Sequence, residues 1–127
     1  MQRMKVFEED GFVAVPQFCD SAELSSIESA LARFIDERIP QLPAEDVFYE
    51  DKSKPESLKQ IQSIHEHDDF FDGFMNSSPK RLAEELLGEP VVGKNLQYFN
   101  KPPGTGQATT AHQDGYYFML ETCRALT

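Results

Sequence analysis

The sequence predicts an α+β domain in which helices come first and strands later. Three observations predict it. Leu24, Ile27, Leu31, Phe34 and Ile35 recur at helical spacing behind a capping Asp20. Leu82, Leu86 and Leu87 repeat that pattern between Pro79 and Gly88. From Val91 onward the helical period gives way to alternation, with Gln97, Phe99 and Lys101 on one face and Leu96, Tyr98 and Asn100 on the other. At 127 residues the chain is at most one domain, long enough for a modest core. It divides into a helical front over about 1–90 and strands over about 91–127.

Each element has its own local cause. Gln2 to Asp10 reads as a short helix stopped by Gly11. Phe12 to Val15 reads as a short buried strand ended by Pro16. Asp20 and Glu23 are spaced as a capping box before the first apolar stripe, and Pro40 and Pro43 end that helix. Ala44 to Pro55 is polar and irregular, as expected of an exposed loop. Ser57 to Ile64 admits two readings, a strand or a helical period of three through Leu58, Ile61 and Ile64. Glu66 to Met75 clusters Phe70, Phe71, Phe74 and Met75, as in a short helix lying on a core. Ser78 is the expected cap of the next helix, with Pro79 in its first turn and Gly88 closing it. Val91 to Lys101 reads as a strand interrupted at Gly93, and Gln107 to His112 as another. Gly115 to Leu120 is a short aromatic connector or strand, and Cys123 to Thr127 opens a further strand.

Composition excludes several classes of function. The formal charge is −10, and beyond residue 90 only Asp114 and Glu121 are acidic against Lys94, Lys101 and Arg124. The acid therefore sits on the helical front, which argues against nucleic acid or an anionic membrane surface as partner. Apolar runs are only a few residues long and the start carries no signal-peptide pattern, so a soluble cytoplasmic protein is expected. Cys19 and Cys123 make neither a disulfide framework nor a zinc motif. Gly104 to Gly106 lacks the G-K-S/T of a phosphate loop, and no nucleophile elbow is present.

The chemistry concentrates between Asn95 and Leu120, which holds the His-x-Asp His112-Gln113-Asp114. In an extended chain residues i and i+2 share a face, so the imidazole of His112 and the carboxylate of Asp114 project together. One neutral nitrogen and one hard oxygen suit two of the three positions of a 2-His-1-carboxylate iron(II) site. The bland reading is also available, because Asp114-Gly115 is a strong turn signal.

The phrases KPPGTG (Lys101 to Gly106) and TTAHQDGYYF resemble the phytanoyl-CoA dioxygenase family of iron(II)/2-oxoglutarate oxygenases. The opening EEDGFVAVPQFCDSAEL looks like that family's start, more loosely. The resemblance implies a double-stranded β-helix, the cupin-like jelly roll. It implies Fe(II) held by His112 and Asp114, with 2-oxoglutarate as co-substrate and Lys59 and Gln97 near its binding positions. Oxidative decarboxylation to succinate and CO2 would accompany hydroxylation of a small organic substrate by dioxygen. The family's distal His and its carboxylate-binding Arg lie further downstream; no His follows His112, and Arg124 stands too close. On that ground the chain is expected to be the front portion of an oxygenase.

Other residues carry plainer expectations. His65 and His67 lie in an acidic segment read as solvated, with no metal role. Lys101 frames the turn, and Tyr116, Tyr117 and Phe118 are core or pocket wall. The rival functions are a non-catalytic binding or interaction domain derived from a jelly roll, and a cupin-type sugar- or metal-binding module.

Overall fold

The computed structural model describes residues 2–127. Helix α1 (Gln2–Asp10) ends where Gly11 turns left-handed at φ 78° and donates its N–H to Phe7 O at 2.9 Å. Helix α2 (Ser21–Glu37) starts on Asp20, whose carboxylate accepts the Glu23 N–H at 2.8 Å. The second half of its apolar stripe faces inward, with Ala30 and Phe34 buried and Leu31 and Ile35 packed beside them, whereas Leu24 is 50% exposed. A 3-10 turn, Ile39–Gln41, carries Pro40 and ends the helical direction.

Three short strands follow: β1 (Val47–Tyr49), β2 (Leu58–Ile61) and β3 (Tyr98–Phe99). They form one antiparallel sheet in the order β1-β2-β3. Val47 pairs with Ile61 and Phe48 with Gln60, but Tyr49 pairs with Leu58. Two steps on β2 thus match one on β1, and Lys59 is the extra residue of a β-bulge. The bulge lets Leu58 and Ile61, an odd number of positions apart, both point into the core. Pairing reaches past the regular strands, since Gln62 N donates to Asp46 O, Asn100 N to Lys59 O and Ile64 N to Leu96 O.

Helices α3 (Asp69–Met75) and α4 (Ser78–Leu87) lie between β2 and β3 in sequence, and a single turn, α5 (Gly115–Phe118), comes near the end. The core is where α2, the sheet and α3 meet: Phe34, Val47, Leu58, Ile61, Ile64 and Phe71 are all buried. Phe34 and Phe71 meet edge to face, 5.9 Å between centroids. Full burial of one such side chain stabilises by roughly 1.5–3 kcal/mol. The architecture is α+β, helices around a small antiparallel sheet. Among the described residues no helix is long and apolar enough to cross a membrane.

Several expectations need correcting. Phe12 to Val15 is not a strand: it has no ladder partner among the described residues, and Phe12 is 68% exposed. Ala44 to Pro55 is not simply an exposed loop, because it contains β1. Buried Ser57 closes the β1–β2 turn, accepting from Asp51 N at 3.0 Å and facing the carbonyls of Asp51 and Lys54 at 2.7 Å. The open choice at Ser57 to Ile64 resolves as strand to Ile61, then a 3-10 turn over Ile64–Glu66. The cap of α4 is Ser77, not Ser78, and Ser78 Oγ is buried without a partner. Val91 to Lys101 shrinks to β3 and its flanking pairs, although the alternation holds, with Leu96 and Tyr98 packed on the core and Gln97 and Phe99 outward. Gln107 to His112 and Cys123 to Thr127 lack regular structure, and Gly115–Phe118 is helical rather than extended. A strand needs a neighbour's N–H and C=O groups, and none is offered to these tail segments.

Candidate functional site

The stretch carrying His112 leaves the sheet through a turn. Gly106 N–H donates to Pro102 O at 2.9 Å, Pro102 is buried, and Gly104 sits at φ 75°. Just past it, Gln107 N–H donates to Glu50 Oε1 at 3.4 Å, tethering the outgoing chain to the end of β1. The next anchor is at the other end: Arg124 donates to Leu87 O at 2.6 Å and pairs with Glu89 at 2.8 Å, closing the C-terminus of α4. His112 and Asp114 lie between these two anchors.

His112 Nδ1 stands 2.7 Å from the carbonyl oxygen of Thr110. A carbonyl only accepts, so Nδ1 carries the proton and Nε2 is the free nitrogen of the neutral ring. Nε2 faces Asp114 Oδ1 at 3.1 Å, with the two side chains 42% and 45% exposed. In that tautomer two acceptors confront each other, an arrangement completed only by a cation between them, either a second ring proton or a metal ion. Nitrogen and oxygen donors adjacent on an octahedral ion at about 2.1 Å stand about 3.0 Å apart. The donor set and its spacing fit a divalent metal.

The two side chains meet by a route that differs from the extended-chain expectation. Asp114 has helical backbone angles, φ −60° and ψ −35°, and its carbonyl accepts from Tyr117 N at 2.9 Å. The helical turn, not a strand face, swings its carboxylate toward His112. That carboxylate makes no capping bond to the α5 amides. The turn at Asp114 is thus closed by its backbone carbonyl and not by its side chain. The Tyr117 ring packs edge-on against the imidazole, 5.9 Å between centroids at 76°.

The remaining candidates sit elsewhere. Lys59, the bulged residue, pairs with Glu50 Oε1 at 3.1 Å. That hydrogen bond, with the one from Gln107 N–H, holds the Glu50 carboxyl below its ordinary range against the opposing effect of burial. Gln97 accepts from the Gln60 amide at 2.7 Å on the outward face of the sheet. Neither Lys59 nor Gln97 bonds to His112 or Asp114; Glu50 connects Lys59 to their segment. His65 is not solvated as its acidic context implies: it is 10% exposed and accepts the Leu96 N–H at Nδ1, 3.3 Å. His67 pairs with Asp46 at 3.2 Å, and its carbonyl accepts from Arg38. Partial burial, then nearby Glu23, pushes the Cys19 thiol up, away from a reactive thiolate. Among the described residues no three His, Cys, Asp or Glu side chains converge into a group that could hold a metal ion.

Sequence reasoning missed three supports of the pair: the Thr110 carbonyl, the Glu50 tether and the Tyr117 ring. Only Tyr117 left a trace, as one of the aromatics after His-x-Asp. An open apolar hollow of about 280 Å³, lined by Ile39, Leu42, Pro43, Val47 and Tyr49, shares no residue with this stretch.

A family model described as Phytanoyl-CoA dioxygenase (PhyH) matches residues 7–126. No curated protein and no solved structure matches the chain.

Proposed function

From the premise that the chain belongs to the phytanoyl-CoA dioxygenase family, we propose that it contributes the first metal-binding half of an iron(II)/2-oxoglutarate-dependent dioxygenase acting on a small organic substrate. His112 Nε2 and Asp114 Oδ1 are the donors for the metal. The observation that carries this is the His112 tautomer: Thr110 takes the Nδ1 proton, so the free nitrogen faces a carboxylate oxygen at 3.1 Å. When bound, iron(II) would couple 2-oxoglutarate decarboxylation to hydroxylation by dioxygen.

The chain's own residues have narrower tasks. Thr110 holds the imidazole proton at Nδ1, and Asp114 supplies the anionic donor that offsets metal charge. Lys59 and Gln97 are the proposed contacts for the co-substrate carboxylate. One fact supports Lys59: its partner Glu50 also anchors the segment five residues before His112. A compact ammonium suits a carboxylate, which would then take the place of Glu50. The outward alternation at Gln97 and Phe99 supports a jelly-roll sheet opened by β3. The third protein donor lies outside the pair described.

That no three-donor group forms among the described residues also favours a second reading, a non-catalytic binding domain that retains the pair. Succinate release from 2-oxoglutarate by the intact protein, with Fe(II) and ascorbate, separates the two. We expect turnover in the wild type, with Asp114→Asn and His112→Ala each at background and unchanged in metal-free melting temperature. Near-normal turnover in Asp114→Asn would remove the carboxylate from the reaction. A folded wild type without turnover favours the binding domain.

A further inference from the structure

We infer that Tyr117 is a positioning residue for His112, its ring holding the imidazole in the plane that presents Nε2 to Asp114. This rests on the reading of His112 and Asp114 as metal donors. The imidazole projects from an irregular stretch and is 42% exposed, so no packed core fixes its orientation. Rotation of a histidine ring about its last side-chain bond is broad. The Thr110 carbonyl restrains the ring through a single hydrogen bond at Nδ1, made within the same exposed stretch. The edge-on contact with Tyr117, 5.9 Å between centroids at 76°, supplies a second restraint on the ring.

Tyr117 is itself placed by two contacts. Its N–H donates to Asp114 O at 2.9 Å, which fixes it one turn beyond the carboxylate. Tyr116 then backs its ring edge to face, 5.5 Å between centroids. Tyr117 remains 67% exposed, so its contact with His112 is not a by-product of burial in a core. The same backbone hydrogen bond that brings Asp114 out of extended geometry thus brings up the ring that steadies His112. One short turn orients both donors.

The test uses the intact protein, Mn(II) as the probe ion, and the variants Tyr117→Leu, Tyr117→Phe and His112→Ala. Two readouts are needed: Mn(II) affinity by titration, and the order of the His112 ring in the metal-free protein from NMR relaxation of its ring carbons. Tyr117→Leu is expected to weaken Mn(II) binding about 10-fold, the low end for loss of a group that orients a ligand. It should also loosen the His112 ring, which the wild type holds in one orientation. Tyr117→Phe keeps the ring and is expected to match the wild type in both readouts. Unchanged ring order and affinity in Tyr117→Leu overturn the assignment, as does a Tyr117→Phe variant as impaired as Tyr117→Leu. Wild-type Mn(II) affinity in His112→Ala instead overturns the metal reading itself, and the ring-order readout still judges Tyr117 by itself.

Discussion

At Glu50 the sheet and the His112 stretch share one carboxylate, bonded to Lys59 at 3.1 Å and to Gln107 N–H at 3.4 Å. Its pKa lies below the ordinary 4.5, first because of the Lys59 hydrogen bond. The unfolded chain therefore takes up this proton at a higher pH than the folded one. Stability from Glu50 is complete above the unfolded value and is lost as pH falls through the lower folded value. Melting temperature followed from neutral to acid pH should show a shallower acid loss in Glu50→Gln than in the wild type. Some loss should persist, because hydrogen bonds from Ser53 lower Asp51 in the same direction. A Glu50→Gln profile parallel to the wild type would contradict the tether. His65 supports a different prediction. Since Nδ1 accepts the Leu96 N–H in a largely buried position, His65→Leu should cost about 1–3 kcal/mol in denaturant unfolding. Changing both His65 and His67 to Gln should leave Mn(II) affinity within a few-fold, and loss of binding there would move the site.

Helix α2 illustrates what a local pattern can encode. Asp20, Glu23 and the stripe from Leu24 to Ile35 lie within one stretch of chain, so cap, length and most of the buried face were legible in the sequence, although Leu24 is half exposed. Asp20→Ala should cost about 1 kcal/mol and Phe34→Ala about 3–5 kcal/mol, both measured by urea unfolding. An equal, small loss for the two would contradict the core placed on Phe34. The strands were less legible because their partners are remote. Val47 to Tyr49 is three residues among Glu45, Asp46, Glu50 and Asp51, and becomes a strand only against Leu58 to Ile61. Gln107 to His112 reads as a strand but is offered no neighbour, so it stays irregular. The His112–Asp114 pair was legible as a motif, yet for an incomplete reason: proximity comes from helical angles at Asp114 rather than from a shared strand face. Thr110 acts through its carbonyl, which no side-chain pattern records, and Glu50 acts across 57 positions.

Over the whole molecule, order and charge are both graded along the chain. Phe34 and Ile61 are fully buried, whereas Tyr116, Tyr117, Met119 and Leu120 lie open at the surface. Hydrogen exchange should accordingly be slowest around Phe34 and Ile61 and fastest beyond Gln107; uniform protection would contradict that gradient. The net charge of −10 resides mainly on the helical front, where Asp68, Asp69 and Asp72 cluster at α3. That cluster attracts any divalent ion weakly and without a set geometry. The His112–Asp114 pair instead places one nitrogen and one oxygen 3.1 Å apart. Residue-by-residue NMR broadening by substoichiometric Mn(II) compares the two directly in the intact protein. Signals from Thr110 to Tyr117 are expected to vanish first in the wild type and to persist in Asp114→Asn. Broadening that begins at Asp68 to Asp72, or that is unchanged in Asp114→Asn, would contradict a metal centre at His112 and Asp114.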